Sequence, residues 1–212
     1  MPGLSRVLPV PYFVQPTPIT CQSTVLKMMA NYLEDRVVMA STGAADRNIT
    51  DIWKDINEDP HRPVKARNAH ANMKWWLEKH FPRLNFKYLQ LTKEDLALQS
   101  IISFIDAGFP VLVSISHARV QGHIILVIGY ENYQRNLSSP DFRLVVHDPY
   151  GRFDPSLLSN LYGKSRFNGG ASLLSGGETG PGRSTRLPIT SVSRQRIGDT
   201  QKGTYYLLAG AA

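Results

Sequence analysis

The chain has 212 residues, with 24 Lys and Arg against 17 Asp and Glu for a formal charge of +7. That length supports one buried core with an appended loop region better than two full domains, and no apolar run approaches the roughly 18 residues of a membrane-spanning helix. The single cysteine rules out an internal disulfide framework, while the positive excess favours anionic partners such as an acidic surface or cell-wall polymer. Nucleic acid is disfavoured as the main partner, because the basic residues are scattered and form no basic-aromatic repeat.

The first nine residues carry one Arg and neither a long apolar segment nor a small-residue cleavage site, so they do not read as a secretory signal. The expectation is a protein that is cytoplasmic as synthesised, with any delivery to a cell wall by a route that needs no signal peptide. Residues 8–14, Leu-Pro-Val-Pro-Tyr-Phe-Val, are expected to be extended, because two prolines forbid helix and suit an edge strand or a polyproline-like segment. Pro16 and Pro18 then impose a loop. Thr20 is placed to cap a helix from Cys21 to Glu34, whose Val25, Leu26, Met28, Met29, Tyr32 and Leu33 fall at helical spacing.

A second helix is expected over Thr50 to Asn57 and a third over Ala69 to Lys79, separated by Pro60 and Pro63. Asn85 to Leu91 reads as a strand. Thr92-Lys93-Glu94-Asp95 resembles a capping box that opens a helix ending at Gly108. From Pro110 the pattern turns to strands: Val111 to Ser116, His123 to Glu131, Phe142 to Asp148, and Thr204 to Ala209. Residues 163–203 are rich in Gly, Ser, Arg and Pro without sustained periodicity and read as a long loop or flap. Helices first and an antiparallel sheet later give an α+β class, with a helical N-terminal half packed on a C-terminal sheet and the whole of 1–212 as one domain.

Four polar residues stand out against this frame: Gln15, Cys21, His123 and Asp148. A cysteine at a helix N-terminus faces unpaired amides and the positive end of the dipole, which favour the thiolate. The Cys21 N–H and the Gln15 side-chain amide would supply two donors to a tetrahedral oxyanion. His123 would take the thiol proton, and Asp148, at the end of a neighbouring strand, would orient the ring. Three of the four also have a bland account: a small buried cysteine, a hydrogen-bonded core histidine, and Asp148-Pro149-Tyr150-Gly151 as a turn, while Gln15 alone is nearly uninformative. The conjunction in this order is what points to a thiol hydrolase.

The stretch Val10-Pro11-Tyr12-Phe13-Val14-Gln15, the Cys21 helix ending Asn31-Tyr32-Leu33, the Gly122-His123 strand ending Gly129-Tyr130, and Asp148-Pro149 together resemble the papain-like cysteine peptidases of the bacteriocin-leader-processing, double-glycine type. The resemblance covers about residues 8–151 and implies a papain-like fold. It also implies an oxyanion-hole glutamine at Gln15, a nucleophile at Cys21, a general base at His123 and an orienting aspartate at Asp148. Gln22 departs from the glycine that usually follows the cysteine. No transporter domain follows, and the tail after Asp148 is also similar to stand-alone cell-wall hydrolases of this superfamily.

The leading expectation is therefore a cysteine hydrolase that cuts an amide bond of a peptide or peptidoglycan stem peptide through a thioester, with no cofactor and no metal. A transferase outcome would use the same residues. Two other classes compete. A zinc amidase could draw ligands from His117, His123 and His147, although the His-Glu-x-x-His spacing is absent. A catalytically silent papain-like binding module would show Cys21 and His123 far apart. Trp75, Trp76 and Tyr150 could line a peptide groove but suit a core equally well, and Arg67 and Arg152 could meet a substrate carboxylate or simply be solvated.

Overall fold

A computed structural model describes residues 3–117, 120–135, 139–151, 182–188 and 204–211. In chain order the elements are β1 (Leu4–Val7), α1 (Cys21–Tyr32) running into a π-helical turn (Leu33–Val38), α2 (Ile49–Glu58), α3 (His70–His80), β2 (Asn85–Leu91), α4 (Glu94–Asp106), β3 (Val111–His117), β4 (Val120–Tyr133), β5 (Arg143–His147), β6 (Thr185–Pro188) and β7 (Tyr205–Ala211). The class is α+β, as the sequence predicts.

Among the described residues the strands form one antiparallel sheet in the order β2-β7-β3-β4-β5-β6, with β1 added beside the far end of β4. The helical half is thus not wholly separate from the sheet, because its strand β2 pairs along its whole length with the C-terminal β7. Helix α1 packs on β4, α3 on β2 and α4 on β7. Every residue of α1 except Asn31 is buried, so this helix is the centre of the core rather than an amphipathic cover. Val25, Leu26, Met28 and Met29 are fully enclosed, as are Val111, Leu112, Leu126 and Val127 of the central strands.

Several local expectations are corrected. Residues 8–14 stay outside the strands and are tied to the sheet by the Leu8 N–H, which donates to Ile128 O at 2.8 Å. The true N-terminal strand is β1, and all four of its side chains are exposed, so no alternating pattern announces it. Helix α4 starts from Lys93 without a side-chain cap, and the Thr92 capping box does not form. At α2 the cap is real: Asn48 accepts the Asp51 N–H at 2.8 Å. Within the 163–203 stretch, Thr185–Pro188 forms a strand paired with β5; its solvent-facing neighbours hide it from a periodicity argument. The remainder of that loop expectation lies outside the described residues.

Buried polar side chains brace the helical half. Lys27 of α1 is buried, donates through Nζ to Ala45 O and lies 5.8 Å from the centre of the Phe13 ring. Burial lowers its pKa, with the Asp46 and Glu34 charges opposing. Glu34 holds the same loop, its Oε1 accepting from the Thr42 hydroxyl at 2.6 Å, the Ala44 N–H at 2.9 Å and the Ala45 N–H at 3.1 Å.

Candidate active site

Cys21 is the first residue of α1 and is buried as a free thiol. Thr20 occupies the cap position but makes no capping bond. Its hydroxyl donates to Thr17 O at 3.0 Å and accepts the Thr17 N–H at 3.2 Å. The expected cap is therefore replaced by a turn that closes residues 17–20, and the Thr20 side chain does not bond the first-turn amides of the helix that carries the thiol.

His123 lies on β4 opposite Ile115 of β3. On the other side of β4 the ladder pairs Leu126 with His147. One step further sets Asp148 beside Ile125, and Ile125 shares a sheet face with His123 two residues away. Asp148 and His123 are thus diagonal neighbours on one face, within reach of each other's side chains. The His123 Nε2 to Asp148 Oδ1 distance is 2.7 Å, with each side chain 3 % exposed.

Cys21 is near enough to the imidazole for its side chain and charge to favour the protonated ring. Burial opposes a charge on His123, but the Asp148 carboxylate, the hydrogen bond to it, and the side chain and charge of Cys21 prevail and push its pKa up to about 10. The arrangement can hold an imidazolium next to a sulfur that has lost its proton.

Asp148 is itself held at several points. Its Oδ1 also accepts the Tyr150 N–H at 2.9 Å, an Asx-turn that forms the turn expected of this segment. The Tyr12 hydroxyl donates to Asp148 O at 3.1 Å, and the Asp148 N–H donates to Gly182 O at 3.0 Å. The Tyr150 ring stands edge-on to the His123 ring at 5.7 Å.

Gln15 is fully buried, and its N–H donates to Pro149 O at 3.0 Å, so the loop ahead of Cys21 is stitched to the residue after Asp148. Its Nε2 donates to Thr17 O at 2.7 Å, which occupies one of its two N–H bonds and leaves the second uncommitted to that carbonyl. Gln22, at the position where the resemblance leads one to expect glycine, is buried too, and its Oε1 has no partner among the described residues.

His147 takes a different role. Its Nε2 lies 3.0 Å from Val10 O, and its Nδ1 accepts the Ser184 N–H at 3.0 Å. A carbonyl at Nε2 requires the proton there, and an N–H at Nδ1 requires the lone pair. Burial, together with the Arg183 charge, lowers its pKa, the bonds to Val10 and Val146 opposing. Both nitrogens of this neutral ring are used, so His147 has no lone pair left for a metal, and the zinc reading loses one of its three ligands. Among the described residues no group of three or more His, Cys, Asp and Glu could hold a metal ion; the His117 side chain lies outside them.

Sequence reasoning missed Tyr12, His147 as an anchor, and Gly182. None sits in a recognisable pattern, since each acts through a backbone atom of a distant segment. Trp76 is core, with Nε1 donating to Asp55 Oδ2 at 3.0 Å, and Trp75 lies under Lys79. Arg67 is exposed over the Trp53 ring, 3.9 Å from Glu58 Oε1. Neither tryptophan joins the site, and Arg152 lies outside the described residues.

A family model for the Peptidase_C39 like family matches residues 7–168, a span that contains Gln15, Cys21, His123 and Asp148. The chain belongs to the C39-like peptidase family. A search of curated proteins returns no match. Among solved structures, the chain is similar to a Bacillus anthracis protein assigned as a C39-like peptidase. The identity is 14 %, the TM-score is 0.54, and the alignment covers 99 % of this chain and 98 % of the other. That likeness supports the papain-like fold over nearly the whole length. No helix among the described residues is long and apolar enough to cross a membrane.

Proposed function

We propose that this C39-like peptidase cleaves peptide amide bonds with Cys21 as nucleophile, His123 as general base and acid, and Asp148 as the group that orients His123. The observation that carries this reading is the shared imidazole: Nε2 is 2.7 Å from Asp148 Oδ1, and the Cys21 side chain is near enough to favour the charged ring. This also argues against the silent module, whose expected sign was a wide separation of Cys21 from His123.

The Cys21 thiolate attacks the carbonyl carbon, and the carbonyl π electrons move to the oxygen. The Cys21 N–H and the second N–H of Gln15 Nε2 stabilise that oxyanion. As it collapses, the C–N bond breaks and the imidazolium gives its proton to the leaving amine, which leaves a thioester on Cys21. Water then loses a proton to neutral His123 and attacks the thioester, and the C–S bond breaks to release the carboxylic acid and restore the thiolate-imidazolium pair. Asp148 stays ionised and keeps the ring aligned through both halves.

The substrate class within this reading is a peptide, either a double-glycine leader or a peptidoglycan stem. The formal +7 charge supports the anionic wall polymer. Gln22 is where a different substrate choice would arise, because a buried amide replaces the glycine expected beside the nucleophile. Wild type and Cys21→Ala incubated with purified peptidoglycan, a double-glycine leader peptide and a peptide library, with products identified by mass spectrometry, separate these substrates. Equal cleavage by both proteins would overturn the mechanism.

A further inference from the structure

The segment 182–188 lies beyond the part of the chain that the family model matches, yet it is built against the back of Asp148. Gly182 O accepts the Asp148 N–H at 3.0 Å, and β6 pairs Thr185 with Val146 and Arg186 with Val145. The fit at Gly182 admits no side chain: a Cβ there would lie 1.9 Å from Asp148 O and 2.7 Å from Gly151 O. Both atoms are backbone, so a methyl group could be accommodated only by moving the main chain at Asp148 or at Gly182 itself.

The Tyr12 hydroxyl reaches the same Asp148 carbonyl at 3.1 Å, and the Tyr12 ring packs edge-on against His147 at 5.2 Å. His147 joins the two segments, taking the Ser184 N–H on Nδ1 and bonding Val10 O through Nε2. The N–H of Asp148 is held by the C-terminal segment and its C=O by the N-terminal segment.

We infer that Gly182 and Tyr12 form a two-point backbone clamp that positions Asp148 for its bond to His123, which makes them positioning residues supplied from outside the four-residue site. This rests on the reading of Asp148 as the residue that orients His123. A carboxylate on an unanchored main chain moves with the backbone torsions as well as its own, whereas a main chain fixed at both N–H and C=O leaves only the side-chain torsions to set its direction. A displacement of about 1 Å at a catalytic group is enough to cost on the order of 100-fold in rate.

The test uses the full chain as Gly182→Ala and Tyr12→Phe, each checked for a cooperative thermal melt. Two readouts follow: kcat/KM on a cleaved peptide, and the NMR titration of the His123 ring in histidine-labelled protein. The expected result is a fall in kcat/KM of roughly 10- to 100-fold together with a downward shift of the His123 titration by about one unit, the lower end of what an adjacent opposite charge contributes. A merely structural role would lower the melting temperature without moving that titration. Folded variants with an unmoved His123 titration overturn the clamp, whatever happens to turnover. If Gly182→Ala does not fold, Tyr12→Phe decides by the same criterion. If Cys21→Ala retains turnover, the catalytic reading fails, and the ring titration, which needs no substrate, still decides whether Gly182 and Tyr12 position Asp148.

Discussion

The Gln15 N–H donates to Pro149 O at 3.0 Å, joining the loop ahead of Cys21 to the residue that follows Asp148. This bond places the glutamine beside the aspartate although more than 130 residues separate them, and it is made by backbone atoms of both partners. Gln15 should therefore keep its main-chain position when its side chain is changed. Gln15→Ala is expected to lower kcat by about 10²- to 10³-fold, the scale of removing one oxyanion donor, with a lowered melting temperature because the bond to Thr17 O and the packing of a fully buried side chain are lost. Steady-state kinetics and a thermal melt check both halves.

Asp148→Asn removes the charge that favours the imidazolium while preserving side-chain volume. The alkaline limb of the kcat/KM profile, which follows loss of the imidazolium towards about 10 in the wild type, should move to lower pH. The rate at the optimum should fall by as much as about 10⁴-fold. A pH–rate profile from pH 5 to 10.5 measures both, and an unmoved alkaline limb would sink the assignment of Asp148.

The same pair links stability to pH. The His123 pKa in the folded protein is raised from 6.5 to about 10, so its contribution is fully present below about pH 6.5 and is lost as pH rises towards 10. The melting temperature of the wild type is expected to decline across that window more steeply than that of His123→Gln, measured side by side in the same buffers.

Glu34 gives the opposite sign. Burial raises its pKa, but the Thr42 hydroxyl and the amides of Ala45, Thr42 and Ala44 outweigh it and hold the carboxyl below its ordinary 4.5. The stabilisation is present above about pH 4.5 and is lost as pH falls through the lowered value. Glu34→Ala strips the acceptor from the Thr42 hydroxyl and these backbone amides and should cost about 1–3 kcal/mol at pH 7, and less in acid. Urea unfolding at the two pH values tests this.

Gly129 tests β1. A Cβ there would lie 2.3 Å from Arg6 O and 2.7 Å from Val7 Cα, so Gly129→Ala should push β1 off the sheet, at a cost of about 1–3 kcal/mol. Hydrogen exchange should show Leu4–Val7 amides losing protection while those of β3 keep theirs.

The sequence by itself determined the elements that carry the proposed catalytic residues. Helical spacing from Val25 to Leu33 sets α1 with Cys21 at its start, an apolar run places His123 on a strand, and the Asp148-Pro149-Tyr150 turn ends the neighbouring strand at the carboxylate. These are local consequences of side-chain periodicity and turn chemistry. Only the tertiary structure decided how they meet. The Thr20 hydroxyl closes on Thr17 instead of capping α1, His147 is consumed as an anchor rather than offered as a ligand, and Tyr12 and Gly182 hold the C=O and the N–H of Asp148. The physical reason is that these contacts run to backbone N–H and C=O groups, which every residue carries, so nothing in the identity of the accepting or donating residue marks it in the sequence.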